Sequence, residues 1–126
     1  MEINNFNIIS GHARLDSEHA QIFVITDKLL DKNLSRDQRI AACESLLRYI
    51  NEHCRYEESL MNEYQYPDKD AHFEDHRKLQ DLFLNKLGSF IKIGGIASTD
   101  IREAFYSHIL QIDMPFINFI MGVDNK

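Results

Sequence analysis

The chain has 126 residues, of which 44% are hydrophobic, and a formal net charge of −6. This length suits one core and is short for two ordinary domains, so residues 1–126 are expected to form a single domain. The acidic balance, with no basic run, argues against binding to nucleic acid or to an anionic membrane surface, because both require clustered Lys and Arg.

Neither a cleaved secretory signal nor a membrane-spanning segment is expected from the sequence. Its first residues lack the basic region and long apolar core of a cleaved secretory signal. Nowhere do eighteen apolar residues follow one another, so no membrane-spanning helix is expected. Cys43 and Cys54 are eleven residues apart on one predicted helix, about 16 Å at helical rise and beyond disulfide reach. We therefore expect a cytoplasmic protein with two reduced thiols.

Helical periodicity and a low content of Gly and Pro predict four helices after an N-terminal arm of residues 1–15. Helices joined by short loops are typical of antiparallel neighbours, so the predicted fold is an all-α, up-down-up-down four-helix bundle. The predicted helices span approximately residues 16–32, 35–65, 68–92 and 98–120. The expected start and stop signals are Asp16 or Ser17, the capping box of Ser35 with Gln38, Pro67 with Asp68, Gly94 with Gly95, and Ser98 to Asp100.

Two pairs of potential metal ligands are four residues apart on the predicted helices: His53 with Glu57, and His72 with His76. Residues at this spacing share a helix face, so each pair can direct two ligating groups at one point. The break at residues 66–68 lets the third helix fold back against the second. Glu57 has apolar neighbours by helical spacing, and a buried carboxylate requires a partner, which a cation among histidines supplies.

Three further residues give weaker signals. His19 lies in the first helical turn on the apolar side, where a lone histidine is more often a core group than a ligand. His108 and Asp113 are five residues apart, which leaves their side chains about 140° apart on a regular helix. Pro115 removes a backbone hydrogen bond and permits a π-type turn, which would bring Asp113 towards His108.

The donor types of all these candidate ligands indicate which metal they suit. Imidazole together with carboxylate suits iron, with zinc, manganese and copper as alternatives.

The segments that contain these residues resemble the hemerythrin-like family, specifically small single-domain bacteriohemerythrins. They read LDSEHAQIF, HCRYEESLM, YPDKDAHFEDH and HILQID, in the family's order. The resemblance implies a non-haem di-iron centre with two iron ions joined by an oxo or hydroxo bridge. One iron is expected to bind His72, His76 and His108, and the other is expected to bind His19 and His53. Glu57 and Asp113 are each expected to bind both irons.

The resemblance implies reversible dioxygen binding at the iron with two histidines, for carriage, storage, delivery or sensing, rather than catalysis. A sensing role would require a separate redox or signalling partner. The alternative is a di-iron oxidoreductase or scavenger acting on nitric oxide or peroxide. Iron storage would require a cage or many weak sites, and neither is visible in the sequence.

The expected ligand pocket departs from the family pattern at two positions. Ala104 stands where many members have Trp, and Cys54 stands where an aromatic residue is common. Both changes remove bulk, so we expect a roomier or wetter pocket and faster oxidation of the dioxygen adduct than in a tightly sealed relative. The residues expected to line this pocket are Ile22, Cys54, Phe105, Ile109 and Leu110.

Overall fold

The computed structural model describes residues 10–29, 31, 33–93 and 97–122, and these residues form helices and connecting turns without any strand. The elements are α1 (Ala13–Lys28), α2 (Arg36–Glu63), α3 (Lys69–Ile93), α4 (Ala97–His108), a π-helical turn (Ile109–Asp113) and α5 (Met114–Met121). Because α4, the π-helical turn and α5 are continuous, they make up a single fourth helix. The predicted all-α fold with four helices is confirmed. None of the described helices has both the length and the apolar character that crossing a membrane requires.

Helix α1 begins before its predicted start, so the prediction that Asp16 or Ser17 caps it is wrong. His12 is the cap, because its Nδ1 accepts a hydrogen bond from the backbone N–H of Leu15 at 3.3 Å. Asp16 lies inside the first turn, and its carboxylate accepts hydrogen bonds from the backbone N–H groups of residues 10 and 11. Asp16 therefore has the residue type of a helix cap, but its carboxylate accepts hydrogen bonds from residues that precede the helix and not from the first turn. Helix α1 ends at residue 28, short of the predicted 32.

The start of α2 is confirmed. The backbone N–H of Gln38 donates to Ser35 Oγ at 3.1 Å, and the Ser35 N–H donates to the Gln38 side chain at 2.8 Å. Helix α2 ends and α3 begins within two residues of the predicted positions. The stop signal at residues 94–95 lies outside the described residues. Helix α4 already includes residue 97, so residues 98–100 lie within its first turn rather than ahead of it, and their side chains are outside the described part.

The helices surround a common interior. Helices α1 and α3 each pack against both α2 and α4. Hydrogen bonds at three different heights, among others, join α2 to α3 and show that these two helices run in opposite directions. They connect Arg39 to the Ile91 carbonyl, Asn51 to Gln80, and Asn62 to Lys69.

The interior contains two apolar clusters. The larger apolar cluster includes Ile22, Ile50, Leu79, Phe83 and Phe105. The smaller apolar cluster consists of Leu15, Leu60, Met61, Phe116 and Ile117. Along α2, Ile50 and Leu60 belong to different clusters, and the predicted ligands His53 and Glu57 lie between them in the sequence. On α1 the predicted ligand His19 likewise lies between Leu15 of the smaller cluster and Ile22 of the larger one, so buried polar residues separate the two clusters.

Candidate metal centre

Seven buried polar side chains meet between the apolar clusters, and we call them the polar layer. They are His19, His53, Glu57, His72, His76, His108 and Asp113, and none is more than 7% exposed. Every ligand predicted from the sequence therefore lies in the layer. His12, which was not predicted to be a ligand, caps α1 instead.

The ligating atoms of the polar layer form two groups, and within each group they lie within 4.8 Å of one another. The three-histidine group contains His72, His76 and His108, together with Glu57 and Asp113. The two-histidine group contains His19 and His53, together with the same two carboxylates. The carboxylates are thus common to both groups, and the histidines are divided between them.

The π-helical turn brings Asp113 into the layer, as predicted. Its Oδ1 lies 3.0 Å from Nε2 of His108 and 3.0 Å from Nε2 of His72, and its Oδ2 lies 3.3 Å from Nε2 of His19. A regular helix would leave residues 108 and 113 about 140° apart, and the wider turn closes this angle. Pro115 lies in the first turn of α5, where its missing N–H is compatible with the altered bonding.

Glu57 also divides its two oxygens between the groups. Its Oε1 lies 3.0 Å from Nε2 of His76 and 3.3 Å from Nε2 of His72. Its Oε2 lies 3.6 Å from Nε2 of His53. Asp113 has the same arrangement, because its Oδ1 faces the three-histidine group and its Oδ2 faces the two-histidine group. Each carboxylate therefore presents one oxygen to each group.

Several buried atoms in the layer have no hydrogen-bond partner among the described residues. They include Nε2 of His53, Oε2 of Glu57 and Nε2 of His108. Such atoms cost free energy when they are buried without a partner. A cation satisfies nitrogen lone pairs and carboxylate oxygens together, and this donor set suits a transition metal. The residues of the polar layer therefore fit a metal ion.

Without a metal, charge attraction holds the layer together. Burial lowers the pKa of His53, but the charge of Glu57 and the nearby carboxylates of Asp113 and Glu18 outweigh it and raise the pKa to about 10. Burial likewise lowers the pKa of His72, and its hydrogen bonds with Asp113 and Glu57 raise it to about 9. Both imidazoles are therefore stabilised as cations in the metal-free protein.

The two carboxyl groups shift in the opposite direction. Burial and the charge of Asp113 raise the pKa of Glu57, but the facing histidines, led by His53, bring it below its ordinary value. Burial also raises the pKa of Asp113, but the charge of His108 close by, followed by the contacts with the other facing histidines, holds it well below its ordinary value. The carboxylates therefore stay ionised and ready to bind a cation.

Two carboxylates that were not predicted from the sequence contact the outer nitrogens of two histidines. Glu18 Oε1 lies 2.8 Å from Nδ1 of His53, and Glu58 Oε2 lies 2.8 Å from Nδ1 of His76. Their side chains are 21% and 33% exposed. Each stands next to a ligand in the sequence, but this position alone does not predict a contact with a histidine on a neighbouring helix.

Apolar side chains cover the two-histidine group. The ring of Phe105 lies 5.8 Å from the ring of His19 and 6.1 Å from that of His53, with centroids as reference points. Ile22 and Ile109 are fully buried in the same apolar cluster as Phe105. Buried Cys54 also belongs to this cluster. These four predicted pocket residues therefore lie on the dry side of the polar layer.

The remaining pocket prediction, Leu110, is wrong, because this side chain is 45% exposed. The π-helical turn directs Ile109 and Asp113 inwards and leaves Leu110 facing outwards. Ala104 lies apart from the dry pocket, in a groove of about 350 Å³ that is lined by α3 and fourth-helix residues and reaches His108. A second groove of about 260 Å³ reaches His72. Both of these grooves thus lie beside the three-histidine group.

Comparison of this chain with protein-family models, curated protein sequences and solved structures found no match. The fold and the polar layer show the class of protein without such a match. In the described residues it is an all-helical protein with a buried cluster of histidines and carboxylates that could hold a metal ion. The likeness to hemerythrins therefore rests on the four sequence segments.

Proposed function

We propose that this protein is a hemerythrin-like, non-haem di-iron protein that binds dioxygen reversibly for carriage, storage, delivery or sensing. The observation that carries the proposal is the division of oxygens: Glu57 and Asp113 each present one oxygen to each histidine group. This arrangement suits two neighbouring metal ions bridged by both carboxylates. An oxo or hydroxo group from solvent would complete the bridge.

The unequal histidine count supports an open ligand position. With the two carboxylates included, the three-histidine group offers five protein ligands and the two-histidine group offers four. A metal held by the two-histidine group would therefore have one protein ligand fewer, and a small exogenous ligand such as dioxygen would be expected on that side. When bound, a pair of ferrous ions supplies the electrons that a dioxygen ligand takes up.

The surroundings of the two-histidine group favour reversible binding over onward reaction. Phe105 packs against both of its histidines, and Ile22 is fully buried nearby. Apolar walls exclude water, which limits the protonation and loss of a reduced oxygen ligand. The chain's own contribution is therefore to hold the donors in place and keep this side dry.

The proposal includes an up-down-up-down bundle that follows an N-terminal arm. The opposite directions of α2 and α3, and the packing of α1 and α3 against both α2 and α4, support this arrangement. In such a bundle, ligands at similar heights on all four helices face one another across the interior.

The alternative function is a di-iron oxidoreductase or scavenger that acts on nitric oxide or peroxide. The observation that favours it is the pair of grooves that reach His72 and His108. Grooves at these ligands give small solutes a route towards the three-histidine group. Turnover by this route would require a redox partner to return electrons.

An absorption spectrum of anaerobically reduced, iron-loaded protein separates the two functions. For reversible binding we expect a visible charge-transfer band that appears with air and disappears on deoxygenation. His53→Ala should abolish the band, whereas His12→Ala removes a histidine outside the polar layer and should retain it. Immediate formation of a stable ferric spectrum without a reversible band would overturn dioxygen carriage and favour the redox function.

A further inference from the structure

The outer carboxylates are divided between the two histidine groups. Glu18 contacts His53, which belongs to the two-histidine group, and Glu58 contacts His76, which belongs to the three-histidine group. Both contacts are 2.8 Å long and both cross between helices, from α1 to α2 and from α2 to α3. Each group therefore has one histidine whose outer nitrogen faces a carboxylate.

These contacts have a direct effect on ligand chemistry. A neutral imidazole that binds a metal through Nε2 carries its proton on Nδ1, and a carboxylate there accepts the hydrogen bond from that N–H. The hydrogen bond fixes the tautomer and the ring orientation and increases the basicity of Nε2. Nε2 of His53 faces Glu57 and Asp113 at 3.6 Å, so Glu18 holds this ring with its ligating nitrogen directed into the layer.

Other histidines of the layer lack this support. Nδ1 of His19 and Nδ1 of His72 are buried and have no hydrogen-bond partner within the described part of the chain. His19 belongs to the two-histidine group and His72 to the three-histidine group. Each group thus contains a histidine with an outer carboxylate and a histidine without one.

Glu18 is itself held in place. Its second oxygen, Oε2, accepts a hydrogen bond from Nε of Arg14 at 3.0 Å. The Arg14 guanidinium lies 3.6 Å from the centroid of the Tyr56 ring. One oxygen of Glu18 is therefore anchored by α1 and the other faces His53, which fixes the carboxylate more firmly than a single contact would.

We propose that Glu18 and Glu58 are positioning residues that support the two-histidine group and the three-histidine group separately. Each carboxylate strengthens metal binding in its own group through one histidine. The affinities of the two groups can therefore be lowered one at a time, without replacing any ligand. The inference rests on the proposed function only in requiring that both groups bind metal.

Zinc titration of the full chain tests the proposal without dependence on oxygen chemistry. The variants are Glu18→Gln and Glu58→Gln, with Glu52→Gln as the control, because Glu52 is exposed on α2 beside His53 in the sequence. Competition with a chromophoric chelator gives the affinity of each binding step. Each test variant should weaken one step by about 10- to 100-fold, a different step in each case, and the control should weaken neither.

Nitrogen-15 NMR of the histidine rings in the zinc-loaded protein assigns each step to a group. Wild type should show hydrogen-bonded Nδ1–H protons on His53 and His76, and each variant should alter the signal of its own partner alone. Because these wild-type signals need no variant, they also test the proposal if a substitution prevents folding. Two zinc steps with normal NMR signals, but no reversible dioxygen band, would refute the proposed function and leave this inference intact.

Three results would overturn the inference. One is the absence of two zinc-binding steps in wild type. Another is that both test variants bind zinc as tightly as Glu52→Gln, or lose both steps equally. A third is zinc-loaded wild type in which His53 and His76 carry no Nδ1 proton.

Discussion

The same four helices bury two interiors of opposite character. In the larger apolar cluster, side chains such as Ile50 and Phe83 are fully buried and stabilise the fold by leaving water. One turn further along α2, His53 and Glu57 are buried just as deeply within the polar layer. Burial lowers the free energy of the apolar side chain at Ile50, whereas burial of His53 and Glu57 costs free energy unless these groups are paired.

The difference shows what each interior depends on. Apolar packing contributes at any pH and with or without a bound ion. Buried charges are stable only when they are paired or bound to a metal, and removal of one partner is costly. The polar layer should therefore respond to protons and metals, and the larger apolar cluster should respond to neither.

The largest expected effect is that of Asp113→Asn. Asn keeps the shape of Asp113 but removes the charge that faces four imidazoles. We expect loss of metal binding in both groups and a decrease of about 3–5 kcal/mol in the free energy of unfolding of the metal-free protein at pH 6. Urea unfolding and metal analysis provide the measurements.

The control for Asp113→Asn is Asp81→Asn, which removes an exposed carboxylate of α3. It should leave both the unfolding free energy and the metal content close to those of wild type. An equal loss of stability in the two variants would contradict a special role for charge pairing in the polar layer.

The pH dependence of the metal-free wild type should be the next largest effect. The pKa of His53 rises from 6.5 to about 10 and that of His72 to about 9, so their stabilisation is complete below pH 6.5 and is lost as the pH rises towards 10. The pKa values of Glu57 and Asp113 are lowered, so their stabilisation is present above their ordinary values, 4.5 and 3.8, and is lost in stronger acid.

Stability should therefore be greatest between about pH 4.5 and 6.5, because both histidines are charged and both carboxylates are ionised over that range. Zinc affinity should change in the opposite sense and increase from pH 6 to pH 8, because the metal competes with protons for the histidines. Urea unfolding in the presence of a chelator and zinc titration measure the two trends. If the stability of the metal-free protein and its zinc affinity both increased from pH 6 to pH 8, this description of the polar layer would be wrong.

A smaller effect is expected in the larger apolar cluster. Ile50→Val removes one buried methylene group a single turn from His53 and should cost about 0.5–1.5 kcal/mol. Because no charge changes, the cost should be the same at pH 6 and pH 9, and zinc affinity should be unchanged. A cost that depends on pH would show that the two interiors are coupled.

The smallest effect concerns the groove that reaches His108. Ala104→Trp should fill part of this space and restrict solvent near the three-histidine group. If solvent entry by this route limits the lifetime of the dioxygen adduct, oxidation should slow by about three- to tenfold, or roughly 1 kcal/mol in the barrier. Stopped-flow absorption measures the rate. A slow wild-type rate that Trp leaves unchanged would count against the expected fast oxidation of the dioxygen adduct.

The sequence was sufficient to predict contacts that depend on spacing within one helix. His53 with Glu57 and His72 with His76 followed from their four-residue separation, and Pro115 indicated the distortion that brings in Asp113. These features are local, because helix geometry relates residue number directly to direction.

The features that were missed depend on how helices face one another or on local bonding. The contacts of Glu18 and Glu58 cross between helices, and their formation depends on how each helix is rotated about its axis. Leu110 was assigned to the pocket because its neighbours are apolar, but the π-helical turn exposes it. His12 was not expected to cap α1, since Asp16 has the residue type usually found at that position.

The π-helical turn also changes the spacing of residues along the fourth helix. The segment HILQID equals a His-x-x-x-Asp helix pair lengthened by one residue, and a four-residue separation already places both side chains on one face. The turn therefore holds one residue more between these two side chains than a regular helix would allow. Leu110 and Gln111 face outwards, so the turn accommodates its additional residue on the exposed side of the helix while Ile109 and Asp113 stay in the interior.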